Sequence, residues 1–276
     1  MKDLDFKNIL TDTLAIFKTY WKPLMIFSTI FSMVSLVIQV LMLVIQFSGN
    51  GIYGIYSFDW LTILIFFVIT LFNLYITSRL NLTFVLLINQ AYKCEPVEIR
   101  HSYNEAKYNT WRLIGYSILT SFITFIPLTM LGIYNFSWFQ LQKPTERIIT
   151  VIIGGVFTFL LNVAFQFVPI LVGLGKRDES VISRSFQILK QNYVKVALLT
   201  LLPILFSVPL WVIDEIPYFS QVNMTSIGIR YALASVYSLI TLPFLTIYKL
   251  NIFKRLVKEE SQETEMQEME DSLYLR

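Results

Sequence analysis

Residues 183–196 read SRSFQILKQNYVKV, a charged segment set between two long apolar runs. Ile182, Phe186, Leu189, Tyr193 and Val196 step by four, three, four and three residues, which puts them on one face of a helix. Arg184, Gln187, Gln191 and Lys195 fall on the other side. A helix that is apolar on one face and basic on the other lies in the headgroup layer of a membrane. Tyr and Trp favour that depth, and Lys snorkels towards it.

The pattern recurs. At the N-terminus, Phe6, Leu10, Leu14, Phe17, Trp21 and Leu24 form a stripe, with Lys7, Asp12, Lys18 and Lys22 off it. A weaker copy is IRHSYNEAKYNTWRL (99–113), with Ile99, Tyr103, Ala106 and Leu113 interrupted by Thr110. The three helices end alike, in FKTYWKPL, AKYNTWRL and LKQNYVKV. The expected interfacial anchors are Lys18 and Trp21, Lys107 and Trp111, and Lys190 and Tyr193.

Composition supplies the membrane. Of 276 residues 55% are hydrophobic and 15% charged, and mean hydropathy is +0.60. A soluble domain carries about 25% charged residues, so this surface does not mostly face water. Crossing about 30 Å of hydrocarbon takes roughly 20 apolar residues. Six runs qualify, at about 23–46, 61–92, 113–134, 148–175, 194–213 and 229–253. The first 22 residues carry Lys2, Asp3, Asp5, Lys7, Asp12, Lys18 and Lys22, and the run after them is too long for a signal-peptide core, so no cleaved leader is expected.

Basic residues set the expected orientation. Lys2, Lys7, Lys18 and Lys22 precede the first span; Lys93, Arg100, Lys107 and Arg112 separate spans two and three. Lys176, Arg177, Arg184, Lys190 and Lys195 separate spans four and five, and Lys249, Lys254, Arg255 and Lys258 follow span six. The alternate loops hold only Lys143, Arg147 and Arg230. Lys- and Arg-rich loops stay cytoplasmic, so both termini are expected inside. The net charge of +3 reflects that sidedness and gives no support to a nucleic-acid partner.

The expected fold is an all-α membrane protein of six transmembrane helices, built as three parallel repeats of one interfacial amphipathic helix plus two spans. The repeats run about 1–92, 93–175 and 176–258, and 259–276 form an acidic cytoplasmic tail, disordered or loosely helical. Aligning Trp111 with Tyr193 sets Pro127 on Pro209, and Lys93 and Lys176 each close a second span. Repeats that all start on one side are related by rotation about the membrane normal.

Few residues suit catalysis. His101 is the sole histidine and Cys94 the sole cysteine, so a His/Cys zinc site within one chain is excluded, as is an intramolecular disulfide. No G-x-x-x-x-G-K-[ST] or G-x-S-x-G occurs. No cofactor is implied. The carboxylates fall in loops or interfacial helices, which counts against a proton-coupled carrier.

Arg79, in LYITSRLNLTFVLL, is the exception among the basic residues. Counted back from Lys93 at 1.5 Å per residue, it lies about 21 Å deep. Either it is buried, with Asn81 beside it and Asn162 and Gln166 of span four as partners for an anion site, or 61–78 alone span and Arg79 sits at the inner headgroups. Prolines 127, 169, 203, 209 and 243 fall inside spans three to six and are expected to kink them. Outer loops rich in aromatics, such as YGIYSFDW (53–60) and YNFSWFQ (134–140), read as aromatic belts.

The segment FVPILVGLGKRDESVISRSFQILKQNYVKV (167–196) resembles a family of bacterial polytopic proteins. These are the membrane domains attached to some glycerophosphoryl diester phosphodiesterases, with their stand-alone relatives. The resemblance covers about 30 residues, and the rest of the chain shares only the six-span pattern. In that family the hydrolase is a separate barrel domain, for which 18 residues after Lys258 leave no room, so no activity or catalytic residue carries over. The resemblance implies a multi-pass protein of the bacterial cytoplasmic membrane serving an envelope, lipid or export system. The expected function is a non-enzymatic accessory or scaffold, in contact with membrane lipids and another membrane protein or enzyme. The rival is the permease subunit of an exporter, driven by a separate ATPase and using an anion site near Arg79.

Overall fold

A computed structural model describes residues 4–48, 60–133, 144–175, 180–215 and 224–274. The aromatic outer-loop segments lie outside them. The described chain is helical, without strands: α1 (Phe6–Ser48), α2 (Trp60–Tyr92), α3 (Ile99–Ala106), a 3-10 turn (Lys107–Asn109), α4 (Thr110–Ile133), α5 (Pro144–Phe165), α6 (Val168–Leu174), α7 (Val181–Leu189), α8 (Tyr193–Glu215) and α9 (Met224–Tyr274).

Breaks fall within the three segments FKTYWKPL, AKYNTWRL and LKQNYVKV. α1 bends at Tyr20, whose φ of −110° and ψ of 20° are not helical. Pro23 explains the bend, because its ring crowds the carbonyl of Thr19 and it donates no N–H. The 3-10 turn at Lys107–Asn109 separates α3 from α4, and α7 meets α8 at 104° across residues 190–192. The helical starts Thr110 and Tyr193 correspond, one residue out of step with the pairing of Trp111 with Tyr193.

Among the described residues, four stretches are long and apolar enough to cross a membrane: Phe6–Leu41, Phe67–Tyr92, Ile152–Leu174 and Thr225–Lys258. The bent pair α7–α8 makes a fifth if it counts as one span. The described side chains of α4 stop at Thr124, short of a full span. The chain is a multi-pass helical membrane protein.

Apolar side chains divide into two layers. In one they face outward: Val37 and Leu41 on α1, Leu64, Phe67 and Phe72 on α2, Phe122 on α4, Val156 and Phe157 on α5, Leu205 on α8 and Val236 on α9. In the other they close on each other: Leu82 to Ile88 of α2, Phe167 to Val172, Ile188 and Leu189, Ile247 to Phe253, with Ile9 and Leu24 of α1. α6 comes close to α2, where a Cβ added at Gly173 would stand 3.2 Å from Val85 Cγ1.

α3 packs on α2, α7 on α5 and α6, and α1 on α9. The buried faces are rotated from the apolar stripes. Thr13, Ser102 and Ser185 are fully buried, whereas Phe6, Leu14, Trp21 and Phe186 of the expected stripes stand about half exposed. Polar contacts at the seams hold Thr13 and Ser185, whereas the Ser102 hydroxyl is buried without a partner among the described residues. Ser185 Oγ donates to the Ala164 carbonyl at 2.6 Å, and Asn251 Nδ2 donates to Thr13 Oγ1 at 2.8 Å.

Prolines are stitched across helices. Proline removes the helical donor to the carbonyl four residues back, and a neighbouring hydroxyl re-satisfies it. Ser28 Oγ donates to Leu239 O at 2.8 Å beneath Pro243, and Tyr248 Oη donates to Leu199 O at 3.0 Å beneath Pro203. Pro169 interrupts the helix within the Ile152–Leu174 span: α5 ends at Phe165 and α6 restarts at Val168, with Gln166 and Phe167 between them. The tail is helical and continuous with α9 to Tyr274.

Candidate functional site

Arg79 lies where the outward-facing half of α2 gives way to its buried half. Its Nε and Nη2 donate to the Tyr103 carbonyl at 3.3 and 3.2 Å, and its guanidinium carbon stands 3.8 Å from the centre of the Tyr103 ring. This is a hydrogen-bonded cation–π clamp between α2 and α3, with the side chain partly buried. Asn81, two residues on, is partly buried. Tyr75 and Trp111 rings meet at 5.4 Å one turn before Arg79, which groups the guanidinium with an expected interfacial aromatic.

The other anchors sit at the same helix breaks. Lys18, Lys107 and Lys190 are exposed, as are Trp21 and Trp111. Lys22 Nζ lies 6.0 Å from the Trp21 ring centre, and the Tyr193 hydroxyl donates to the Leu160 carbonyl. His101 and Glu105 form an exposed pair at 3.8 Å, away from either cavity described next.

Beside the Arg79 clamp runs an open apolar groove of about 800 Å³ between α1 and α2. Phe27, Met33, Val37 and Leu41 line one wall and Phe72, Ile76 and Leu80 the other. α3 closes one end with Ile99, Arg100 and Tyr103. From Phe27 to Leu41 the wall is about 21 Å long, more than one leaflet of about 15 Å. Arg100 is exposed and brings the one charge in this lining.

Asn162 and Gln166 are not beside Arg79. They line a second, polar cavity of about 410 Å³, with Thr120, Ser121 and Thr124 of α4, Thr200 and Pro203 of α8, and Lys249 of α9. Gln166 Nε2 donates to Thr200 Oγ1 at 3.0 Å, and Asn162 Nδ2 donates to Thr158 O at 2.9 Å. The break at Pro169 is what frees Gln166 from helical geometry. Exposed Leu119, Phe122, Leu198 and Leu201 flank the same turns, so the cavity is level with the outward apolar layer.

Lys249 is the residue that charge counting along the sequence misplaces. It reads there as part of a basic cluster after the last span, yet it lies inside α9 between fully buried Tyr248 and Leu250. The signal in the sequence is its spacing: a lone Lys five residues before Lys254, inside an apolar run that continues through Phe253. No group of three or more His, Cys, Asp or Glu suited to a metal occurs among the described residues. No family model matches the chain, and neither curated proteins nor solved structures include a significant match.

Proposed function

We propose that the chain is a non-enzymatic accessory or scaffold protein of the bacterial cytoplasmic membrane that works by holding lipid and contacting a partner. The groove between α1 and α2 carries this reading. It combines an apolar wall longer than a leaflet with Arg100 at one end, the pairing of features that suits an acyl chain and an anionic headgroup. The family resemblance in 167–196 points the same way, to a role beside a lipid or envelope enzyme.

The accompanying architecture is six spans as three parallel repeats, with both termini cytoplasmic. Three observations support it. The helix breaks fall at matching places, fully buried Thr13, Ser102 and Ser185 stand at equal distances before Lys18, Lys107 and Lys190, and α3 packs on α2, α7 on α5 and α6, and α1 on α9. Thr83, Gln166 and Lys249 are equally spaced along the chain, one on or next to each second long helix. The 104° angle between α7 and α8 suits a helix lying in the headgroup layer before a span.

The test is to extract native membranes in mild detergent, capture a tagged copy, and identify bound lipids and protein companions by mass spectrometry. Enrichment of anionic over zwitterionic phospholipid is expected, reduced in Arg100→Glu, with a lipid or envelope enzyme among the companions. Equal lipid content in both forms removes the groove from the reading. A second reading, a transport component, is favoured by the polar cavity at Lys249, and an ATPase companion with solute flux that depends on that cavity would establish it in place of the first.

A further inference from the structure

We infer that Lys249, Asn162 and Gln166 form a binding site for a small, singly charged oxyanion that also carries hydroxyl groups. The site is separate from the lipid groove and stands whether or not a solute crosses the membrane.

The first ground is charge. Lys249 projects from a helix whose neighbouring residues Ile247, Tyr248 and Leu250 are fully buried. The described residues of the cavity lining include no carboxylate, and Lys249 makes no ion pair or hydrogen bond with a described residue. A lone cation beside an apolar layer is costly unless an anion joins it. One ammonium balances one negative charge, so a carboxylate or phosphodiester fits and a divalent phosphate leaves an unbalanced charge in a low-dielectric cavity.

The second ground is the supply of donors and acceptors. A carboxamide has two N–H donors. Asn162 engages its amide nitrogen with Thr158 O and Gln166 with Thr200 Oγ1, one recorded bond each, so each retains a second N–H for an oxyanion. The hydroxyls are committed differently. Thr200 donates to Val196 O at 2.7 Å, Thr124 to Thr120 O at 2.8 Å and Thr120 to Ser117 O at 3.2 Å. Their protons are used within their own helices, which leaves oxygen lone pairs as acceptors. Acceptors beside an anion site select a ligand with its own O–H groups.

The third ground is size. About 410 Å³ is within the roughly 300–1,000 Å³ of small-molecule sites. It admits a compact organic acid or a single lipid headgroup. Phe165 and Pro203 supply an apolar wall for the carbon skeleton.

The experiment uses the full chain, purified in a neutral detergent, with thermal unfolding as the readout. Lactate and glycerate are titrated as sodium salts against sodium chloride at matched ionic strength, with dimethyl phosphate as the hydroxyl-free comparison and sulfate as the divalent one. A parallel arm compares nanodiscs of phosphatidylcholine alone with nanodiscs containing phosphatidylglycerol. Lactate or glycerate is expected to raise the melting temperature saturably and more than sulfate or dimethyl phosphate does. Lys249→Gln is expected to weaken half-saturation about tenfold or more, the loss of one charge-assisted contact, and Lys249→Arg to retain much of it. A Lys249-dependent response seen only with phosphatidylglycerol assigns the oxyanion to a lipid headgroup; one seen with the soluble salts assigns it to a solute. Identical responses of wild type and Lys249→Gln in every arm overturn the site. Should Lys249→Gln fail to fold, Gln166→Leu serves instead, where several-fold weaker binding is expected and unchanged binding overturns the proposal. Arg100→Glu, in the groove, is expected to leave the soluble-salt titrations and the Lys249 dependence of the nanodisc arm unmoved, so failure of the groove and failure of this site are told apart.

Discussion

Two stretches of α2, 64–72 and 82–88, are comparably greasy and do opposite things. Leu64, Phe67, Val68, Leu71 and Phe72 are about half exposed, whereas Leu82, Phe84, Val85, Leu87 and Ile88 are all but inaccessible. Arg79 marks the junction, clamped to Tyr103 of α3. The first half is apolar because lipid surrounds it; the second is apolar because α1, α6 and α9 surround it. Hydropathy records the absence of water in both cases and does not record what replaces it. Only the partners do, and they come from far along the chain.

The sharpest way to break that comparison is to trim one leucine from each half. Leu87→Ala removes a side chain with no exposure and leaves a cavity, so a loss of about 2–5 kcal/mol is expected. Leu64→Ala, at 58% exposed, is expected to change stability by less than about 0.5 kcal/mol, since lipid fills the space. Reversible unfolding in mixed micelles measures both. Equal losses at the two positions would mean that the halves do not differ as their exposures indicate. Next in size is Arg79→Leu, which deletes the clamp at the junction. About 1–2 kcal/mol of local stability is expected to go, from one cation–π contact and hydrogen bonds to a single carbonyl. It should appear as faster hydrogen exchange across 99–106, with the exchange of α6 unchanged. Uniform acceleration would instead mark Arg79 as part of the global core.

Much of this was legible in the sequence, for reasons the residues give. Long apolar runs and amphipathic periodicity are local, so helical content and the breaks after Lys18, Lys107 and Lys190 follow from spacing alone. The buried faces do not. Thr13, Ser102 and Ser185 are polar and small, so a hydrophobic stripe passes them over, yet they are what the seams bury. For the candidate site, the sequence sets Asn162 and Gln166 as partners of a buried Arg79, whereas the cavity they line is shared with Lys249. Depth counted along a helix cannot say which of two cations a distant amide meets. That depends on α5 breaking at Pro169 and on α9 passing beside it.

A smaller effect tests the stitching of the kinks. Tyr248→Phe removes the donor to Leu199 O beneath Pro203. The expected cost is about 0.6 kcal/mol, typical of a hydrogen bond between membrane helices. In a Pro203→Ala background, residue 203 regains an N–H for that carbonyl, so the same Tyr248→Phe change should cost less. The coupling between the two substitutions is the readout. Additive losses would show that the hydroxyl does not stand in for the missing backbone donor.

An effect of similar size and opposite sign lies at the C-terminal end of α2, the boundary of its buried half. Cys94 has φ of +56°, in the left-handed region that a side chain resists. The conformation has a clear use. Glu95 N donates to Gln90 O at 3.0 Å and Cys94 N to Ala91 O at 3.2 Å, the paired bonds of a Schellman cap, and Gln90 Oε1 accepts from Glu98 N at 3.1 Å to hold the next turn. The backbone therefore needs a left-handed residue here and the thiol does not contribute to the cap. Glycine meets the same geometry without a Cβ, at the cost of more freedom in the unfolded chain, so Cys94→Gly is expected to stabilise by a few tenths to about 1 kcal/mol. Cys94→Val, β-branched, is expected to destabilise by a similar amount or more. If glycine and valine instead act alike, the turn is held from outside, by the packing of α3 on α2, and the cap is a consequence of that contact and not its cause.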